Sequence, residues 1–197
     1  AFLEKYDVKT TAVNLMAASR LMKNPSEAVR NLWEHGDSAT ARALLDETLR
    51  RFSESVKNPK ELAQAQETLA DTAEHVMDSM IIEDRRTGSL DIRQMKLLCS
   101  QLKIASSMSR QENYIVPIET ADGVTGMKLR IGSVEYKNAL VYIFLEDKNC
   151  GSVAAYFDAK ENSVSAMIVT DDEQTKKLFE DNITTFESGI SDGEQSV

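Results

Sequence analysis

Four groups of side chains in this 197-residue chain are of types that could do chemistry. Asp171, Asp172 and Glu173 could hold a divalent cation through hard carboxylate oxygens. Glu146, Asp147 and Asp158 could serve as paired carboxylates in acid–base catalysis. His75, flanked by Glu74 and Asp78, could be a base for a nucleophile. Cys99 and Cys150, with His35 and His75, are the residue types of a zinc site. None of the four has the pattern its chemistry needs. The acidic triplet stands where a helix begins, and carboxylates stabilise the unpaired N–H groups there. The acids at 146, 147 and 158 fall near turns, where charge serves solubility. No Ser or Cys nucleophile can be tied to His75, and the Cys and His positions have no ligand spacing. A glycine-rich phosphate loop is also missing. No catalytic residue, metal or organic cofactor is therefore expected.

The elements that would position these groups change character near residue 111. Lys+Arg and Asp+Glu number 16 each up to residue 110, then 7 and 16 beyond it, so the net charge of −9 lies in the last 87 residues. Six of the eight glycines also follow the break. Apolar spacing changes there from helical to alternating. The predicted organisation is a helical domain over 1–110 and an antiparallel α+β domain over 111–197, divided between Arg110 and Tyr114. The acidic balance argues against a nucleic-acid groove, which needs clustered Lys and Arg. No apolar run approaches the roughly 18 residues of a membrane span, so no membrane insertion is expected. Ala1 to Tyr6 lack the basic start and apolar core of a secretory signal, which points to the cytoplasm. Two cysteines make no disulfide framework and read as reduced thiols.

Four or five helices are predicted in the first part. Thr10 or Thr11 can cap the first, with Val13, Met16, Ala17 and Leu21 inward. Asn24 and Pro25 open the second, which Gly36 stops. A third runs from about Ser38 to Val56 with the stripe Leu45, Leu49, Phe52 and Val56. Asn58-Pro59 starts a fourth, carrying Leu62, Leu69, Val76 and Met80. Ser89 can cap a fifth, with Met95, Leu98, Leu102, Ala105 and Met108. Lys-Asn-Pro occurs at 23–25 and again at 57–59, and reads as two independent helix starts rather than a repeat.

The second part alternates as strands do. Tyr114 to Glu119 contains Pro117, which suits an edge. Met127, Leu129 and Ile131 alternate with Lys128 and Arg130. Ala139 to Leu145 is a continuous apolar run, so that strand should be central. Gly151 to Asp158 and Ser163 to Val169 follow short polar turns, including Lys160-Glu161-Asn162, which makes the strands antiparallel. Thr170 and Glu173 suggest a capping box for a closing helix. Its face of Leu178, Phe179, Ile183 and Phe186 should cover the sheet. A mobile polar tail is expected from Gly189. The fold class is thus α+β: an N-terminal helical bundle, then a small antiparallel sheet covered by one helix.

The stretch over about 139–190 resembles the C-terminal domain of the flagellar hook-length control protein. The matching positions are Leu145, then Cys150-Gly151, Val153 and Ala155. Val164, Ala166 and Ile168 follow, then Leu178 and Phe186, and last Gly189-Ile190. Cys150 stands where the family has leucine, and Glu146 to Asn149 replace its Pro and Leu positions. The family carries a long flexible ruler before this domain, where this chain has a helical part. The resemblance implies a regulatory role in flagellar export or hook assembly, through contact with the cytoplasmic domain of the export-gate component. It also implies that the chain either stays in the cytoplasm or is exported through the flagellar apparatus without a cleaved signal. By the same analogy the contact set is Leu145, Asn149, Cys150, Gly151 and Val153. An unrelated cytoplasmic scaffold or adaptor is the alternative, and a hydrolase stands behind both.

Overall fold

The computed structural model describes residues 2–36, 38–84, 91–134, 138–160 and 163–193. A bundle of helices precedes a five-stranded antiparallel sheet, which two C-terminal helices cap. The helices are α1 (Phe2–Lys5), α2 (Ala12–Lys23), α3 (Pro25–His35), α4 (Ala39–Ser55), α5 (Pro59–Asp84) and α6 (Ile92–Ser109). The strands are β1 (Asn113–Thr120), β2 (Gly123–Val134), β3 (Asn138–Asp147), β4 (Gly151–Lys160) and β5 (Ser163–Thr170), in the order β1-β2-β3-β4-β5. The closing helices are α7 (Glu173–Asp181) and α8 (Ile183–Gly193). Two helices therefore stand where one was expected, and α8 occupies the start of the expected tail.

Helix starts are decided by single side chains. Thr11 Oγ1 accepts from Asn14 N at 3.2 Å, Asn24 Oδ1 from Glu27 N at 3.0 Å, and Ser38 Oγ from Ala41 N at 3.2 Å. Each pairs an N–H that the helix cannot satisfy itself. The α6 cap is Asp91, whose Oδ1 accepts from Arg93 N at 2.9 Å; Ser89 lies outside the described residues. In the bundle Leu45, Phe52, Leu62, Leu69 and Leu102 are fully buried. Area bookkeeping assigns each about 2 kcal/mol of stabilisation.

Two predicted faces are rotated. On α4 the buried line is Ala41, Leu45, Thr48, Phe52 and Ser55, while Val56 is exposed. The two hydroxyls can be buried because they donate to Leu44 O at 2.8 Å and Arg51 O at 2.6 Å. Thr48 Oγ1 also meets Thr72 Oγ1 of α5 at 3.1 Å. On α2 the buried residues are Ala17, Ala18 and Leu21, and Val13 and Met16 are exposed. Small residues there carry the contact that the larger ones were expected to make.

The chain divides into two compact units, Ala1–Arg130 and Ile131–Val197. The expected boundary between Arg110 and Tyr114 marks the passage from helix to strand, and the units part later, inside β2. The reason is that β1 and the start of β2 belong to the helical unit. Tyr114 Oη donates to Pro59 O at 3.2 Å, and Ile115 N to Gln66 Oε1 at 2.9 Å. Ser26 Oγ donates to Gly126 O at 2.6 Å. A Cβ on Gly126 would lie 3.1 Å from Ile115 Cγ2, Pro25 O and Ser26 Cα, so a side chain there would push these neighbours back by a few tenths of an ångström. Pro117 sits on β1 at the sheet's edge, opposite Gly126.

In the C-terminal unit β3, β4 and β5 pair antiparallel over their full lengths. Val141, Ile143 and Leu145 share one face with Phe157, Ala155, Val153, Ala166 and Ile168. Leu140, Tyr142, Phe144, Tyr156, Met167 and Val169 share the other. Both faces are therefore apolar. Among the described residues of this unit only Ala155 and Thr175 are buried.

Candidate functional site

The expected contact set lies at the β3–β4 turn. Leu145 pairs with Val153 across the two strands, and Asp147 with Gly151. Asp147 Oδ1 accepts from Asn149 N at 2.9 Å, which closes the turn. Gly151 has φ +64, the left-handed region that side chains avoid. A Cβ there would also lie 2.6 Å from Asp171 Oδ1 and 3.2 Å from Asp172 Cβ. The structure thus joins the turn to the segment that starts α7. Asp171 Oδ1 accepts from Ser152 N at 2.8 Å, and Thr175 Oγ1 donates to Cys150 O at 3.1 Å.

The cap of α7 is Asp172, not Thr170. Asp172 Oδ1 accepts from Thr175 N at 2.7 Å, while Thr170 Oγ1 accepts from Asp172 N at 3.2 Å. The expected capping box is absent because the helix begins at Glu173, too late for Thr170 to reach it. The Thr175 backbone N–H holds the Asp172 carboxyl below its ordinary value.

The other candidates for chemistry are dispersed. Asp171 and Asp172 each engage a backbone N–H through Oδ1, and Glu173 lies 4.0 Å from Lys176 Nζ. Glu146 and Asp158 share a sheet face, but Glu146 faces Ser152 and Asp158 faces Leu140. Six positions of strand separate those pairs, roughly 20 Å. Asp147 lies on the opposite face, and Asp158 meets Lys160 Nζ at 3.0 Å. His75 is exposed on α5, and its neighbour Glu74 pairs with Lys103 at 2.6 Å. Both cysteines are free thiols. Burial pushes the Cys99 thiol up to about 11, away from nucleophile chemistry. Among the described residues no group of three or more His, Cys, Asp or Glu side chains could hold a metal ion. Nor is any described helix long and apolar enough to cross a membrane.

A surface that was expected to be covered is open. Leu178 is 59 % exposed, Ile183 56 % and Phe186 43 %, while on the other face of the sheet Met167 and Val169 of β5 are also exposed. Phe179 is half-buried, its ring edge-on to Phe186 with centroids 5.5 Å apart. Between β5 and the two helices runs a groove of about 560 Å³. Its floor includes Ala166, Ile168, Phe179, Ile183 and Phe186, and Glu173, Glu180 and Glu187 line it with Lys176. The helix pattern was legible, but the break at Asn182 was not. That break splits one long face into two short ones. A second depression of about 500 Å³ lies in the N-terminal unit. Arg30 and Arg42 there face Glu34, Asp46, Glu119 and Asp122, so it favours neither sign of ligand.

Comparison with protein-family models, curated proteins and solved structures finds no match to this chain.

Proposed function

We propose that the chain is a non-catalytic protein whose C-terminal unit works in the cytoplasm by contact with a protein partner. One observation carries this reading. Ile183 and Phe186 are exposed along a groove floored by Ala166, Ile168 and Phe179, in a unit whose described residues include almost no buried side chains. Contiguous apolar surface of this kind is costly in water and marks an interaction site. Of the acids that might have done chemistry, Asp147, Asp171 and Asp172 hold turns and a helix cap instead. In-cell cross-linking tests the reading, with wild type beside Ile183→Glu and Phe186→Glu. A partner captured by wild type should be lost from both variants while their thermal unfolding stays normal. An unchanged cross-link pattern in two stable variants sinks it.

Within that class we infer a regulatory role in flagellar export or hook assembly, with the cytoplasmic domain of the export-gate component as partner. The support is the resemblance over about 139–190, centred on Leu145, Cys150, Gly151 and Val153. Asn149 is the exposed member of that contact set. Titrating the purified chain with that domain decides the point, and Asn149→Ala should weaken the complex. No measurable binding removes the flagellar assignment and leaves the broader reading standing.

A further inference from the structure

The open surface has an edge as well as a groove, and the two together define an occupant. Strand β5 ends the sheet, with no strand beyond it among the described residues. It runs Ser-Val-Ser-Ala-Met-Ile-Val-Thr, without a charge or a proline. Exposed edges are usually blunted by Lys, Pro, a bulge or a covering element, because their free N–H and C=O groups recruit another strand. Here the helices lie along β5 and leave a groove rather than a cover. The groove floor, with Ile168, Phe179 and Ile183, would receive apolar side chains from every second residue of an added strand. A helix seated in the groove would leave the β5 backbone unpaired.

Charge selects among possible strands. Glu173, Glu180 and Glu187 follow one another at seven-residue intervals along the groove, and Lys176 is the cation lining it. Residues 131–197 carry 13 Asp and Glu against 5 Lys and Arg. A second copy of this chain would bring the same excess and be repelled. Resting on the binding reading above, we propose that β5 accepts a sixth strand from another protein, in which apolar residues alternate with Lys or Arg.

The test uses the full chain and four synthetic peptides: alternating Val–Lys, Val–Glu and Gly–Lys, and a helix-forming Leu–Lys peptide. Binding is read by fluorescence anisotropy, and the seat of the peptide by hydrogen exchange of the β5 amides. The Val–Lys peptide should bind and slow exchange across 163–170. The double variant Glu180→Lys, Glu187→Lys should weaken it by about tenfold or more, and Lys176→Glu should tighten it. Ile168→Lys, on the groove floor, should also weaken it. Equal binding of the Gly–Lys or Val–Glu peptide overturns the proposal, because charge or apolarity alone would then suffice. Binding of the Leu–Lys helix without β5 protection overturns it, and so does sedimentation as a dimer with β5 already protected. If Val–Lys fails while Phe186→Glu still abolishes the cross-linked partner, the binding reading stands and the sixth strand does not.

Discussion

At the scale of single residues, Gly151 carries the sharpest consequence. Its φ of +64 strongly favours glycine, and a Cβ there would also push Asp171 Oδ1 away from its 2.6 Å position. Gly151→Val should cost about 1–3 kcal/mol, read as an earlier thermal transition of the C-terminal unit. A melt indistinguishable from wild type would refute the geometry. Any binding defect in this variant is confounded by folding, which is why Asn149 is the better probe of the turn. Asp172 gives a pH dependence with a definite sign. Its folded carboxyl lies below the unfolded value of 3.8, so its stabilisation is present above that pH. It is lost as pH falls through the lower folded value. Helical circular dichroism should therefore decline more steeply below about pH 4 in wild type than in Asp172→Asn. Identical acid profiles would remove the cap from the account. A cap of this kind was legible in the sequence at Asn24 and, as one of two candidates, at Thr11, since each needs one side chain and the next turn. Thr170 misled because the helix starts two residues later, where Asp172 accepts from Thr175 N, while Thr170 pairs only the N–H of Asp172.

Elements were legible where a face meets its own bundle and illegible where a polar group decides. Leu62, Leu69 and Val76 line the buried side of α5 as their spacing requires. The α4 face turned because Thr48 and Ser55 find acceptors within their own helix, which hydropathy does not register. Gln66 is the clearest case. It is fully buried in α5, and its Oε1 accepts from Ile115 N, which fixes β1 to the bundle. Its Nε2, among the described residues, has no partner. Gln66→Leu should destabilise the N-terminal unit by about 1–3 kcal/mol, because the Ile115 N–H is left buried and unpaired. Chemical denaturation measures this, and a neutral result would mean that water takes over the acceptor role. The uncovered groove was not visible beforehand for a related reason. Amphipathic spacing tells which side of a helix is apolar, and says nothing of how much of that side a small sheet can reach.

At the scale of the whole chain, composition and compactness divide the molecule at different places. Charge and glycine content change where secondary structure changes, near residue 111. The units part after Arg130 because the first hairpin is tied to α3 and α5 by Ser26, Pro59 and Gln66. A fragment ending at residue 130 should melt cooperatively, and one ending at 110 should melt lower and more broadly, as calorimetry can show. Equal transitions would mean that the hairpin adds nothing to the helices. One further property follows from where the thiols sit. Cys99 is buried on α6, its Sγ 3.5 Å from Ala73 O and 3.8 Å from Met77 Sδ, whereas Cys150 is half-exposed at the β3–β4 turn. An alkylating reagent should mark Cys150 directly, but reach Cys99 only when α5 and α6 part. Each unit therefore carries a native clock. The delay between the two modifications, timed by mass spectrometry, would read how often the bundle breathes, with no label added to the protein.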